Sequence, residues 1–192
     1  MIRLNELDQI PATMPCPYNG TKVSNDQLET FISASLNQEK LPMVILGANW
    51  CPDAQCLEAV MQLPSVAQFI AEHYEVIRVD LGEYDINMDL IKYLGMPSQE
   101  GIPRVFILDL QGEPINLETN DKWRSARQSY PQDIFDYFQS FIKKGPQHKC
   151  ESLRYICFIA LRKIVDKLAF NLLQKVFAIH IQTQHNRCCH IN

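Results

Sequence analysis

The segment of residues 41–58, LPMVILGANWCPDAQCLE, constrains the fold more than any other part of the chain. Its first half is an apolar run, which predicts a buried strand. A cysteine followed at once by proline and an acid then marks a helix start, because proline suits the first helical position and acids favour the first turn. The sequence therefore predicts a strand, a short loop and a helix whose N-terminus carries Cys51.

The predicted position of Cys51 gives it a chemical role. Free N–H groups and the positive dipole end of a helix stabilise a thiolate, which is the nucleophilic form of cysteine. Pro52 is expected at the first helical position, and Trp50 is expected to shield the sulfur on one side. Asp53 opposes ionisation of a neighbouring thiol, but we interpret it as a helix-start residue. The pattern thus makes Cys51 a candidate nucleophile.

The motif around Cys51 resembles the active-site region of bacterial thioredoxin-family proteins, in which a strand delivers W-C-x-x-C to a helix start. The similarity continues through residues 66–113, where Gly101-Ile102-Pro103 opens a further strand, and it covers about residues 25–143. The resemblance implies an α/β, thioredoxin-like fold with a mixed β-sheet flanked by helices. It also implies thiol–disulfide oxidoreductase chemistry on disulfide-containing or thiol protein substrates.

The resemblance also assigns roles to residues beyond the cysteine. In that family the proline after Ile is cis and faces the active-site cysteine, and Pro103 matches it. Together with Trp50 and Pro52, Ile102 and Pro103 are expected to shape the substrate-binding groove. Arg104 is then expected either to raise the positive potential near the cysteine or to point to solvent.

The second cysteine of the family motif is missing from this chain. It would fall at Ala54, and Cys56 lies two residues later. Five residues correspond to about 500° of helical rotation, so a disulfide between Cys51 and Cys56 needs the first turn to unwind. Cys56 is therefore expected either to be a small buried hydrophobe or to resolve a mixed disulfide on Cys51.

Two functions follow from these features. The first is monothiol-like exchange, in which Cys51 attacks a disulfide and Cys56, another cysteine or an external thiol such as glutathione releases the product. A reductase is a further candidate partner. The second is a redox-inactive, protein-binding module with the same fold. No cofactor and no metal site are predicted, and a net charge of −4 gives no reason to expect nucleic-acid binding.

The chain divides into three predicted parts. They are an N-terminal extension over residues 1–23, a thioredoxin-like domain over residues 24–144, and a helical appendage with a tail over residues 145–192. Proline and glycine break any helix in the extension, which is expected to wrap the domain surface. Cys16 in this extension is expected either to be a lone surface cysteine or to act as a distant resolving thiol.

The appendage carries its own pattern. Apolar pairs alternate with mainly basic polar pairs over residues 152–181, which predicts an amphipathic helix. Its apolar stripe is expected to pack on the domain, in a homodimer or on a membrane surface. Cys189 has the spacing of a C-terminal prenylation box. The alternatives are a frayed tail or loose metal binding by His185, Cys188, Cys189 and His190. No signal-peptide core or membrane span is visible, so the predicted location is cytoplasmic, with membrane association as the alternative.

Overall fold

The structure is a computed structural model and describes residues 1–142 of the 192-residue chain. Three expectations lie outside the described residues. They are the boundary at residue 145, the amphipathic helix over residues 152–181, with its homodimer or membrane contact, and the tail around Cys189.

A mixed three-stranded sheet forms the centre of the described part. Strand β1 (Leu41–Gly47) lies between β2 (Tyr74–Asp80), which runs parallel to it, and β3 (Arg104–Ile107), which runs antiparallel. Helices cover both faces of the sheet, and this explains why the sequence of β1 is an almost continuous apolar run. The predicted mixed sheet flanked by helices is confirmed.

Helices make up the remaining regular secondary structure of the described chain. The α-helices are α1 (Asn25–Asn37), α2 (Pro52–Met61), α3 (Pro64–His73), α4 (Asp89–Tyr93) and α5 (Pro131–Ser140). Ser24 caps α1 in a capping box with Gln27, an arrangement that contributes about 1 kcal/mol. Within residues 1–142, none of the helices has the length and apolar character needed to cross a membrane.

Alternate side chains of β1 build a core on each face of the sheet. Met43 and Ile45 pack into one cluster, which includes the aromatic side chains of α5. Val44 and Leu46 pack into the other cluster, to which Cys51 also belongs. The candidate nucleophile is therefore continuous with the core that surrounds β1.

The turn signal at Gln111-Gly112 predicts a hairpin whose second strand lies around Ile115 and Leu117, but this strand does not form. The side-chain amide of Asn116 takes its place. Its oxygen accepts a hydrogen bond from the N–H of Ile107 at 2.9 Å, and its nitrogen donates to the carbonyl of Val105 at 2.8 Å. Because this one side chain satisfies groups on β3 that another strand would pair, the ladder ends after an isolated bridge.

Two helix starts also differ from the prediction. The sequence favours Ser65 as the cap of α3, but Leu63 caps the helix and Pro64 is its first residue. The N–H and hydroxyl of Ser65 instead donate to the carboxylate of Asp8, both at 2.8 Å. The sequence predicts a short helix over residues 86–94, but α4 begins only at Asp89, because Asn87 has a φ of 56°, which lies outside the right-handed helical region.

The polar segment over residues 120–130, predicted as a loop, contains the 3₁₀ segment Lys122–Gln128. Trp123 anchors it, since the indole is buried and meets Tyr137 edge to face with 5.2 Å between ring centroids. A buried tryptophan removes a large apolar area from water. The 3₁₀ segment is therefore held firmly against the domain, where it contacts α2.

The N-terminal extension wraps the domain through hydrogen bonds to widely separated elements. Near its end, Asn87 accepts from the N–H of Val23 and donates to the carbonyl of Thr21, both at 2.9 Å. Tyr18 and Asn49 form a reciprocal pair. The Tyr18 N–H donates to Oδ1 of Asn49 at 3.1 Å, and Nδ2 of Asn49 donates to the Tyr18 carbonyl at 2.6 Å. The extension is thereby fastened next to the loop that leads to Cys51.

The ring of Tyr18 occupies space that a side chain at position 47 would need. A Cβ on Gly47 would overlap the phenol oxygen and adjacent ring carbons of Tyr18. Tyr18 is buried, and this burial, followed by the charge of Glu58, raises the pKa of its hydroxyl. The extension thus completes the core at the C-terminal end of β1.

Replacing Gly47 with alanine is expected to lower the free energy of unfolding by about 1–3 kcal/mol, because the new methyl group must displace Tyr18. Urea denaturation measures the change. In a Tyr18→Ala background the same substitution is expected to cost much less, since the space is then vacant. An equal cost in both backgrounds would contradict the contact.

Candidate functional site

Cys51 is the N-cap residue of α2, where β1 and its loop deliver it to the helix. Its Sγ donates a hydrogen bond to the carbonyl oxygen of Ile102 at 3.6 Å, and only 6% of the residue is exposed. The thiol makes no capping bond to its own helix, and Pro52 occupies the first turn without an N–H. The remaining first-turn N–H groups and the helix dipole favour negative charge at this position.

The wall opposite the thiol is the loop that precedes β3. The peptide bond between Ile102 and Pro103 is cis, and both residues are buried. The N–H of Gly101 donates to the hydroxyl of Tyr84 at 3.2 Å. A Cβ on Gly101 would overlap the guanidinium of Arg124. The loop is thus held between two side chains while it presents the Ile102 carbonyl to the sulfur.

Trp50 lies at the rim of the site, and 46% of it is exposed. Its indole Nε1 donates to the carbonyl of Gly82 at 2.7 Å, and its ring meets Tyr84 edge to face with 5.5 Å between centroids. These contacts orient the indole from the loop after β2. The exposed ring surface is available to a molecule bound next to Cys51.

Arg104 supports the loop from behind. It is fully buried, which excludes the expected alternative that it points to solvent. Its guanidinium donates to Oδ1 of Asn120 at 2.7 Å and to the carbonyl of Glu100 at 3.4 Å, and its Nε has no partner among residues 1–142. Burial lowers the pKa of this guanidinium, while the charge of Asp121 acts in the opposite direction. The bond to Glu100 ties the loop to the start of β3.

Asp53, two residues after Cys51, is paired with Arg127 from the 3₁₀ segment. The backbone N–H of Arg127 donates to Oδ1 of Asp53 at 3.0 Å, and its guanidinium donates to Oδ2 at 3.2 Å. The hydrogen bond to Asp53 and its charge raise the pKa of Arg127, and Cys51 and Cys56 add to the shift. Sequence reasoning missed Arg127. The sequence did contain a signal. Because a carboxylate opposes ionisation of a thiol near it, a cation that offsets the Asp53 charge was to be expected.

The positions of Ala54 and Cys56 argue against dithiol chemistry at Cys51. Ala54 is fully buried in the same core cluster as Cys51, whereas the half-buried Cys56 packs against the cluster on the other face of the sheet. Burial raises the pKa of the Cys56 thiol, Asp53 raises it further and Arg127 opposes the shift. The described cysteines are free thiols. Cys56 is therefore poorly placed to attack a disulfide at Cys51.

Two acidic side chains that lie close to Cys51 in sequence form hydrogen bonds with other residues. Glu58 is 3% exposed, and both of its oxygens accept from the guanidinium of Arg78 at 2.8 Å. Such a bidentate pair compensates the burial of the carboxylate. Asp80 accepts from the N–H groups of Gly20 and Gly82, each at 2.8 Å. In residues 1–142, no three His, Cys, Asp or Glu side chains are grouped as metal ligands.

Replacing Arg127 with glutamine is expected to slow alkylation of Cys51 at pH 7 by about two- to fivefold, because the exposed Arg127 guanidinium no longer offsets the charge of the Asp53 carboxylate. Iodoacetamide labelling with peptide mass spectrometry measures the rate. Arg3→Gln is the matched control, since Arg3 is also exposed but pairs with Asp136 of α5 at 3.6 Å. The Asp53→Asn/Arg127→Gln double variant should regain the wild-type rate, and an unchanged rate in the single variant would refute this role.

Alkylation of Cys56 is expected to need a higher pH than that of an ordinary cysteine, whose pKa is about 8.5. Burial raises the pKa of Cys56, so its thiol keeps the proton to higher pH and the rate should rise through a midpoint above that value. Arg127→Gln should move the midpoint further upward, because the Arg127 charge opposes the shift. A midpoint below about 8.5 in the wild type would contradict this expectation.

Comparisons with known proteins found a matching family model and similar solved structures. A protein-family model described as Thioredoxin matches residues 7–119. A disulphide isomerase from Xylella fastidiosa Temecula1 is similar, with a TM-score of 0.61 and 27% sequence identity over 68% of this chain and all of that chain. The C-terminal domain of DsbD from Neisseria meningitidis, in its oxidised form, has a TM-score of 0.43 and 15% identity over 63% of this chain and 98% of that chain.

No curated protein sequence matches the chain. The family match and the similarity to the disulphide isomerase support thiol–disulfide oxidoreductase chemistry in general terms, and they confirm the thioredoxin-like fold. Because the family model spans more than half of the sequence, the chain belongs to the thioredoxin family.

Proposed function

We propose that this protein carries out thiol–disulfide exchange through Cys51, in a monothiol-like manner, on disulfide-containing or thiol protein substrates. One observation carries the proposal. The Sγ of Cys51 lies at the N-terminus of α2 and 3.6 Å from the Ile102 carbonyl, which adjoins the cis peptide bond. A nucleophile favoured by a helix N-terminus thus lies against a backbone group that a substrate can also use.

In the first step, Cys51 loses its proton to solvent and the thiolate attacks one sulfur of a substrate disulfide. A bond forms between that sulfur and Cys51, the substrate S–S bond breaks, and the other substrate sulfur leaves as a thiolate. Loss of the thiol proton also frees the Ile102 carbonyl from its bond to Sγ. That carbonyl can then accept an N–H from an extended substrate segment lying along Ile102 and Pro103, with Trp50 and Pro52 contacting its side chains.

In the second step, another thiolate opens the mixed disulfide. Attack at the Cys51 sulfur would release the substrate as a thiolate and leave Cys51 bonded to the attacking thiol. Attack at the substrate sulfur would release Cys51 as a thiolate. Glutathione or a reductase is the proposed external thiol. Cys56 is the weaker internal candidate, because it is half-buried with a raised pKa and would have to leave its core cluster.

The second candidate function is a redox-inactive, protein-binding module. Two observations favour it: alanine stands one helical turn after Cys51, and Cys51 itself is only 6% exposed. Such a module would bind an extended segment in the same groove and would have no need of a reactive thiol.

The wild-type protein is expected to form a mixed disulfide at Cys51 with a disulfide-containing peptide, and Cys51→Ser is expected to form none at that position. Ala54→Cys is expected to speed release of the peptide thiol at least about tenfold, because residues three apart on a helix share a face. Non-reducing peptide mass spectrometry follows both steps. Ala54→Ser is the matched control, since it changes the size of the side chain similarly without adding a thiol.

The binding-module function makes the opposite prediction. In that case Cys51 would alkylate no faster in the folded protein than in the urea-unfolded chain, and Ala54→Cys would restore no release. That result would overturn the exchange function.

A further inference from the structure

We propose that Cys16 of the N-terminal extension is the internal resolving thiol for the mixed disulfide on Cys51. This inference rests on the exchange function proposed above. It assigns to the extension the release of substrate from the mixed disulfide. In the family motif, the second cysteine, which lies in α2, normally carries out this release.

The first observation is that Cys16 contacts the face of α2 on which Cys51 lies. Cys51, Gln55 and Glu58 are spaced as i, i+4 and i+7, so they share one side of the helix. The side-chain amide of Gln55 donates to Sγ of Cys16 at 3.8 Å. The same amide nitrogen donates to the carbonyl of Asn49 at 2.7 Å. One side chain therefore links the sulfur of the extension to the loop that leads into Cys51.

The second observation is that the chain on the C-terminal side of Cys16 is anchored next to this loop. Tyr18 and Asn49 exchange two hydrogen bonds, at 3.1 and 2.6 Å. Pro17, which lies between Cys16 and Tyr18 in the chain, lines a groove together with Glu58. Two residues span at most about 7 Å, so the anchor keeps Cys16 close to the N-terminus of α2.

The third observation is the freedom of the Cys16 side chain to move. Cys16 is exposed. From residue 10 to residue 17, the hydrogen bonds found within the described chain are those of the Cys16 sulfur itself, to Gln55 and to the Met14 carbonyl. Moving this stretch would therefore break few hydrogen bonds. Cys56, in contrast, could reach Cys51 only by unwinding a packed turn of α2. Of the described thiols, Cys16 is therefore the one best able to approach Cys51.

The chemical step is a thiol–disulfide exchange within one chain. The Cys16 thiolate attacks the Cys51 sulfur of the mixed disulfide, a Cys16–Cys51 bond forms, and the substrate sulfur leaves as a thiolate that takes a proton from water. The substrate is reduced and the protein is oxidised. An external dithiol or glutathione returns the protein to its reduced state. The side-chain amide N–H of Gln55 already points at the Cys16 sulfur.

The test uses the full chain and one equivalent of a disulfide-linked peptide, without external thiol. Samples are quenched with acid, alkylated and mapped by non-reducing mass spectrometry. In the wild type we expect a transient adduct on Cys51, then a Cys16–Cys51 crosslink together with free peptide thiol. In Cys16→Ser the adduct should form at the wild-type rate and persist, with release at least about tenfold slower. Cys56→Ser tests the competing internal thiol and should release as the wild type does.

A further variant, Asn49→Ala, removes the anchor of Tyr18 without removing a sulfur. It is expected to slow release while leaving the rate of adduct formation unchanged. This separation of the two rates would distinguish positioning of Cys16 from general damage to the site.

Release that is equally fast in Cys16→Ser, or a crosslink that joins Cys51 to Cys56, would overturn the role of Cys16 and leave exchange at Cys51 intact. A complete absence of the Cys51 adduct in Cys16→Ser, where it should accumulate, would instead overturn the proposed exchange function. The two failures are therefore distinguishable in a single series of samples.

Discussion

Burial of β1 on both faces is the constraint on which the rest of the described structure depends. Its alternate side chains pack into two separate core clusters, so a register shift of one residue would exchange the two cores. The parallel and antiparallel neighbours of the strand are fixed in consequence. Only three residues then separate the end of β1 from Cys51, so the strand determines where the thiol lies.

Segments remote in sequence complete the surroundings of the thiol. Arg127 offsets the charge of Asp53, Arg104 supports the loop opposite Cys51, and Tyr18 fills the space beside the end of β1. None of these side chains belongs to the strand or the helix that carries the thiol. The local motif therefore supplies the nucleophile, while the electrostatic and steric conditions around it come from three other parts of the chain.

Patterns confined to neighbouring residues made much of this structure predictable. The apolar run of β1, the proline after Cys51 and the capping box at Ser24 each act locally, and each is visible as a short motif. The pairing of Asp53 with Arg127 joins residues 74 positions apart, and no periodicity encodes it. The role of Asn116, whose side chain replaces a strand, was missed for a different reason: alternation of apolar residues cannot reveal a side chain that imitates backbone.

The chain has two tryptophans, and they lie in opposite surroundings. Trp50 is half-exposed at the rim next to Cys51, whereas Trp123 is buried under the 3₁₀ segment. Indole emission depends on the polarity and the quenching groups near the ring. The two fluorophores should thus emit at different wavelengths, the redder component responding to what is bound at the cysteine and the bluer one to the integrity of the core. Trp50 can therefore report binding next to Cys51, while Trp123 reports whether the core is folded.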